Sequence, residues 1–127
     1  MFNFSILKSK FNNVDLINES KVVVKSELVQ VFDYLKNTPE FDFDILTSII
    51  AIDLTDKIEL IYQLMSSETS ETLSVSYYTD NYTAPTVTDI YKSASFDECE
   101  IFDLFGVEFI GNKNLKRLLM PENWVGH

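Results

Sequence analysis

Three carboxylates lie close together in the last third of this 127-residue sequence, at Glu98, Glu100 and Asp103. On a helix, Glu100 and Asp103 are three residues apart and share one face. Paired acids of this kind can transfer protons or bind a hard cation such as Mg²⁺ or Ca²⁺ through oxygen ligands. The chain holds 20 acidic residues, so neighbouring pairs also arise by chance. Residue types alone therefore favour a solvated acidic surface, with a metal or proton site as the alternative.

Other catalytic chemistry has few residues to draw on. The single histidine is His127, and the single cysteine is Cys99. A Ser–His–Asp triad, a thiolate cage for an iron–sulfur cluster and a structural zinc site all need more of these residues than the sequence has. No glycine-rich phosphate loop precedes the basic pair Lys116 and Arg117. We therefore predict no catalytic residue, no metal site and no cofactor in this chain.

The segment 112–127 is locally basic, with three basic residues against one acid. Arg117, the only arginine, has the forked geometry that would pair with Glu100 or Asp103. Trp124, the only tryptophan, either folds back on the core or contacts a partner. Residue types leave both possibilities open.

The N-terminal part of the sequence predicts one strand and one helix. The β-branched run Lys21–Lys25 favours a strand. The following helix should be capped by Ser26 and end before Pro39. Its buried stripe has the spacing of one helix face: Leu28, Val31, Phe32 and Leu35.

The middle of the sequence is rich in strand signals. Phe41–Leu54 is mixed, since Asp44–Ser48 suits a helical turn and Ile49–Ile52 suits a strand. Two alternating runs then predict an antiparallel hairpin about Ser66–Glu71, with one face on the core. The core positions of that hairpin are Ile58, Leu60, Tyr62, Leu64, Leu73, Val75 and Tyr77.

Two capping boxes, each a hydroxyl residue followed three positions later by an acid, predict two further helices. The first begins at Thr86 and starts a short helix through Tyr91. The second begins at Ser95 and starts a helix at Phe96–Phe105, which Gly106 ends in a left-handed cap. The predicted fold class is α+β: a mostly antiparallel sheet with helices packed on one face and an irregular C-terminal tail.

Composition limits the class of protein. Hydrophobic residues make up 46% of the chain and charged residues 24%, as expected of one folded domain covering residues 1–127. The net charge of −10 would repel a polyanion, so we predict no nucleic-acid partner. The longest apolar run, Ile49–Ile52, is too short to cross a bilayer, and residues 1–11 lack the pattern of a secretory signal. A single cysteine fits a reducing compartment.

The stretch 86–127 resembles the C-terminal signature of the 30 kDa subunit family of respiratory complex I, known as the C-type subunit in bacteria and the J-type subunit in chloroplasts. The family pattern Glu-Arg-Glu, two residues, Asp, two apolar residues and Gly is matched by E-C-E-I-F-D-L-F-G, with Cys99 in place of the arginine. The family tail is matched by G-N-K-N-L-K-R-L-L-M-P-E-N-W-V-G-H, with Asn112-Lys113 in place of His-Pro. The matching positions are Glu98, Glu100, Asp103 and Gly106 in the helix and Lys116, Arg117, Pro121, Trp124 and Gly126 in the tail.

The resemblance implies a non-catalytic scaffold subunit in the peripheral, cytoplasmic arm of a complex I-like NADH-quinone oxidoreductase. It implies that the signature residues form the partner interface and that residues 107–127 are a docking tail. The implied partners are the 49 kDa-type (D-type) large subunit and the small, B-type iron–sulfur subunit, with membrane contact only through the complex. Short, divergent relatives occur in group 4 membrane-bound hydrogenases, where the partner would be the hydrogenase large subunit. An interaction module serving another assembly, or an independent carboxylate-based metal-binding domain or enzyme, are the remaining alternatives.

Overall fold

A computed structural model describes residues 2–115 of the chain. Within this range three helices and seven strands follow one another, with a five-stranded sheet in the middle of the fold. In chain order the elements are α1 (Phe4–Lys10), β1 (Val14–Asn18), β2 (Lys21–Val24), α2 (Leu28–Asn37), β3 (Ile45–Asp53), β4 (Ile58–Met65), β5 (Thr72–Tyr78), β6 (Thr83–Pro85), α3 (Ala94–Phe105) and β7 (Glu108–Ile110).

The main sheet has the strand order β1-β2-β5-β4-β3. Its pairings are antiparallel except for β2 with β5, which are parallel. A parallel pair needs a long connection, and here the chain between β2 and β5 supplies α2 and the two strands β3 and β4. The predicted α+β class with a mostly antiparallel sheet is confirmed.

Period-two alternation in β4 places every second side chain on the core face. Tyr62, at the centre of this strand, is completely buried and packs edge-on against Phe32 of α2, with ring centroids 5.0 Å apart. The predicted antiparallel hairpin of β4 and β5 is confirmed, and its register places Tyr62 opposite Val75. Tyr77, predicted to share this face, is only partly buried. The opposite face of the sheet is more open, and Ile50 is 44% exposed.

Helix α2 buries the four residues that its sequence stripe predicts, but its predicted cap is wrong. The N-cap is Glu27, not Ser26, and the Glu27 side chain makes no capping hydrogen bond. Glu27 adopts a left-handed backbone, with φ of 58°. Only residues 25–27 connect β2 to α2, so the chain must turn sharply there. Ser26 therefore lies one residue before the N-cap position.

Two further sequence predictions need correction. Asp44–Ser48, in the mixed segment, forms no helical turn; β3 occupies Ile45–Asp53 because it pairs with β4, with one register shift between Leu46 and Ser48. The short helix predicted from Thr86 through Tyr91 is a hydrogen-bonded turn, in which the Tyr91 amide donates to the Val87 carbonyl at 2.8 Å.

The C-terminal part of the described chain is less irregular than predicted. Strand β7 follows α3 and pairs in parallel with β6, with Ala84 opposite Phe109. The Thr86 amide extends this small second sheet by donating to the Ile110 carbonyl at 2.9 Å. The rest of the predicted tail, residues 116–127, lies outside the described residues.

Candidate functional site

The signature helix α3 ends where local chemistry requires, whereas no side-chain hydrogen bond of its N-cap residue marks its start. Its N-cap is Ser93, two residues before the predicted Ser95. Gly106 ends it with φ of 77°, and its amide donates to the Phe102 carbonyl at 3.0 Å, which confirms the predicted left-handed cap. A residue with a Cβ would be strained in this conformation. Gly106 therefore sets the turn from α3 into β7.

Helix α3 is attached to β3, the last strand of the main sheet, through two polar contacts. Asp97 Oδ2 accepts a hydrogen bond from the Ile49 amide at 3.1 Å. Ser93 Oγ donates to the Leu46 carbonyl at 3.2 Å. Since β3 is an edge strand, these side chains bond to backbone groups where a further strand would otherwise pair.

Glu98 is turned into the protein and is 0% exposed. Its Oε1 accepts from the Thr86 hydroxyl at 2.6 Å and from Asn112 Nδ2 at 2.9 Å, and its Oε2 accepts from the Val87 amide at 2.9 Å. Burial raises the pKa of Glu98, although these donors act in the opposite direction. The carboxylate joins α3 to two segments, residues 86–87 and the turn at residues 111–114. Its burial leaves it no surface for direct contact with a partner.

The turn at residues 111–114 is itself held by a short chain of contacts. Asn112 Oδ1 accepts from the Asn114 amide at 2.8 Å, while the amide nitrogen of the same side chain donates to Glu98. The Asn114 carbonyl lies 3.4 Å from Cys99 Sγ. Cys99 is buried and burial raises the pKa of its thiol, so it behaves as a small apolar residue with a weak donor.

The outer side of α3 combines acids with exposed apolar side chains. Glu100 and Asp103, which the helical spacing places on one face, are both exposed. Phe96 is 57% exposed and Leu104 is 69% exposed. We call these four residues the outer α3 face. Exposed apolar side chains with polar neighbours are one feature of protein–protein contact surfaces.

The structure separates the three signature acids rather than gathering them. Glu98 points inward, while Glu100 and Asp103 are exposed on the outer side. Within residues 2–115, no group of three or more His, Cys, Asp or Glu side chains is placed to hold a metal ion. The predicted three-carboxylate metal site therefore has no supporting geometry in the described part of the chain.

The predicted tail positions cannot be placed beside these residues. Lys116, Arg117, Pro121, Trp124 and Gly126 lie outside the described residues. The pairing of Arg117 with an outer α3 acid therefore stays a prediction.

Sequence reasoning missed the two side chains that bond to Glu98. The sequence pattern gives Thr86 the position of a helix cap and marks Asn112 only as a departure from a family motif. Their spacing from Glu98, 12 and 14 residues, belongs to no local motif. The available signal was indirect: a buried carboxylate requires donors, and hydroxyl and amide side chains supply them.

In the part of the chain that the structure describes, each helix is too short or too polar to traverse a lipid bilayer.

Comparison with known proteins identifies the family. Residues 22–127 match the family model described as the respiratory-chain NADH dehydrogenase, 30 Kd subunit. The C-type subunit of the NADH-quinone oxidoreductase of Trichlorobacter lovleyi is 34% identical over 132 residues, covering 99% of this chain and 78% of that protein. The C-type subunit of Roseiflexus sp. is 33% identical over 112 residues, which cover 84% of this chain and 64% of that protein. The combined C/D protein of Bacteroides fragilis is 34% identical over 98 residues, which cover 75% of this chain and 18% of that protein. The chain thus spans less than two thirds of several of these relatives.

Two solved structures share the fold. A chain of the membrane-bound sulfane sulfur reductase, an archaeal respiratory membrane complex, superposes with a TM-score of 0.71 at 25% identity, covering 94% of this chain and 75% of that chain. The trypsin-resistant fragment of Nqo5 superposes with a TM-score of 0.68 at 23% identity, covering 86% and 93%. On the match over residues 22–127, supported by the C-type relatives, the chain belongs to the 30 kDa subunit family of the respiratory-chain NADH dehydrogenase.

Proposed function

We propose that this chain is a non-catalytic scaffold subunit of a complex I-like NADH-quinone oxidoreductase. It would bind the D-type large subunit in the peripheral arm, on the cytoplasmic side of the membrane, beside the small B-type iron–sulfur subunit. The observation that carries the proposal is the relative in which the C-type and D-type subunits form one C/D protein. Joining two subunits in one chain is compatible with function only if the two domains lie near each other in the complex.

The outer α3 face is the surface best suited to this contact. It combines the exposed acids Glu100 and Asp103 with the exposed side chains of Phe96 and Leu104. Acidic groups steer a basic partner surface, while the apolar side chains supply buried area once the partner is bound. Gly106 contributes by directing the chain from this helix into β7.

Affinity purification tests the proposal directly. The tagged chain is recovered from its native membranes in mild detergent, and the associated proteins are identified by mass spectrometry. We expect a D-type large subunit together with a B-type iron–sulfur protein. Recovery of the chain alone would contradict the scaffold role.

Variants locate the interface. Leu104→Ser and Glu100→Lys on the outer α3 face should reduce recovery of the large subunit about tenfold, as expected for loss of about 1.4 kcal/mol of binding. Matched controls are Leu16→Ser, at a 47% exposed leucine on β1, and Glu40→Lys, at an exposed loop acid. Equal losses in the variants and the controls would exclude a specific role for this face.

The tail residues are tested in the same way. Arg117→Ala and Trp124→Ala should weaken recovery of the large subunit, with little change in the free energy of unfolding of the chain. Unchanged recovery for both variants would refute the docking role of the tail.

A second candidate is the equivalent small subunit of another membrane-bound respiratory complex, such as a group 4 hydrogenase. The similarity to a chain of the archaeal sulfane sulfur reductase complex favours it, because that fold match covers 94% of this chain. The same purification separates the two candidates by the identity of the large subunit that is recovered.

A further inference from the structure

Glu98 occupies a buried position at which an apolar residue would be expected to stabilise the fold equally well. It lies on the buried side of α3, beside Cys99, and is completely covered. Burying a carboxylate costs several kcal/mol unless donors replace its hydration, and replacing such a group by a well-packed apolar residue is often neutral or stabilising. An apolar residue, however, makes no directional hydrogen bonds. A carboxylate with fixed donors holds those donors at defined positions.

The donors of Glu98 come from two segments that are far apart in sequence. One is the turn that begins at Thr86, and the other is the turn that contains Asn112. These segments also pack against each other, since a Cβ added to Gly111 would lie 3.0 Å from Thr86 Cγ2. Glu98 therefore joins two turns that pack closely, and only a narrow range of positions satisfies all its donors.

The contacts continue from Glu98 toward the end of the described chain. The Asn112 side chain donates to Glu98 through Nδ2 and accepts from the Asn114 amide through Oδ1. Turning this amide group would break both bonds at once. Leu115, the next residue, is 9% exposed. The Asn112 side chain thus connects the Glu98 carboxylate to residues 112–115, alongside the Asn112 amide bond to the Phe109 carbonyl and the contact of the Asn114 carbonyl with Cys99 Sγ.

We propose that Glu98 is a positioning residue for subunit assembly, which fixes residues 111–115 against α3 and so sets the point from which the rest of the signature continues. This inference rests on the proposed function. The signature residues Lys116, Arg117 and Trp124 follow in sequence. Loss of the Glu98 contacts should therefore weaken binding of the large subunit by more than the accompanying loss of domain stability explains.

The test uses the full chain and three variants. Glu98→Gln keeps the shape but places an amide NH₂ against at least one of the present donors. Asn112→Ala removes the side chain that donates to Glu98. It is the milder change, because Asn112 is only partly buried. Val75→Ala is the control, since it makes a cavity in the buried face of β5 without touching these turns.

Two measurements separate positioning from stability. Amide hydrogen exchange at residues 111–115 should increase at least about tenfold more than exchange in the sheet for Glu98→Gln and Asn112→Ala, but not for Val75→Ala. Recovery of the native large subunit from detergent-solubilised membranes should fall about tenfold for the first two variants, while Val75→Ala recovers it as the unchanged chain does.

Exchange at residues 111–115 that matches the rest of the domain in both variants would overturn the proposal. So would a binding loss no greater than that of Val75→Ala. If the unchanged chain recovers no large subunit, the proposed function and the assembly role both fail, while the exchange measurement still decides whether Glu98 holds residues 111–115.

Discussion

Two buried tyrosines offer a matched test of how polar groups are satisfied in this core. Tyr62 of β4 and Tyr91 both pack edge-on against Phe32, with ring centroids at 5.0 and 5.7 Å. The Tyr91 hydroxyl donates to the Phe43 carbonyl at 2.6 Å. Among the described residues, no hydrogen-bond partner lies within reach of the Tyr62 hydroxyl. The same chemical change, removal of one oxygen, should therefore have opposite effects at the two positions.

The magnitudes follow from the cost of burying polar groups. Tyr62→Phe removes an unsatisfied buried hydroxyl, which raises the free energy of unfolding by about 1–3 kcal/mol. It also leaves a void smaller than a methyl group, which lowers that free energy by less than about 1 kcal/mol. We expect a net gain of about 1 kcal/mol in the free energy of unfolding. Tyr91→Phe leaves the buried Phe43 carbonyl without its donor and should cost about 1–3 kcal/mol.

Ionisation does not complicate the comparison. Burial raises the pKa of both hydroxyls above that of free tyrosine, and for Tyr62 the Glu98 carboxylate adds to the effect. Both groups therefore stay neutral near pH 7. Neither substitution changes the net charge of the chain.

Urea denaturation followed by circular dichroism gives the free energies, provided that the slope against urea concentration is unchanged between variants. The reasoning would be refuted if both substitutions shifted stability in the same direction. A loss of more than about 1 kcal/mol for Tyr62→Phe would show that its hydroxyl has a partner after all.

Two further predictions concern the signature region. Because burial raises the pKa of Glu98 above its ordinary value, its contribution to stability is fully present below the unfolded-state pKa and is lost as pH rises through the folded-state pKa. The stability of the unchanged chain relative to Glu98→Gln should therefore decrease as pH rises from the unfolded-state pKa through the raised folded-state pKa, and a pH-independent difference would contradict the assignment. At the glycines, Gly106→Ala should cost about 1–2 kcal/mol from its positive φ alone. Gly111→Ala should cost more, because its Cβ would also press on Thr86, and thermal unfolding midpoints compare the two.

The sequence predicted best where structure is decided by neighbouring residues. The α2 stripe of Leu28, Val31, Phe32 and Leu35 and the alternation of β4 follow from local periodicity, which the core then buries. Gly106 was predictable because a left-handed cap favours glycine over residues with a Cβ.

The sequence predictions were wrong where groups distant in the sequence, or the path of the chain, determine what a side chain bonds to. Thr86 has the spacing of a helix cap, and its hydroxyl oxygen accepts from the Thr88 amide at 3.3 Å, but the same hydroxyl also donates to Glu98 and only a turn follows. Ser26 has the right residue type, but the short connection from β2 moves the cap to Glu27. The inward direction of Glu98 was equally hidden, since an acid on a helix gives no local sign of donors 12 or 14 residues away.

The attachment of α3 to strand β3 also has a consequence for aggregation. An uncovered edge strand offers free amide and carbonyl groups to another copy of the same strand, which is a common route to aggregation. Asp97 and Ser93 occupy the Ile49 amide and the Leu46 carbonyl on that edge. Intermolecular sheet formation would first have to detach the helix. The element that carries the outer α3 face thus also protects the β3 edge of the sheet from pairing with another copy of the chain.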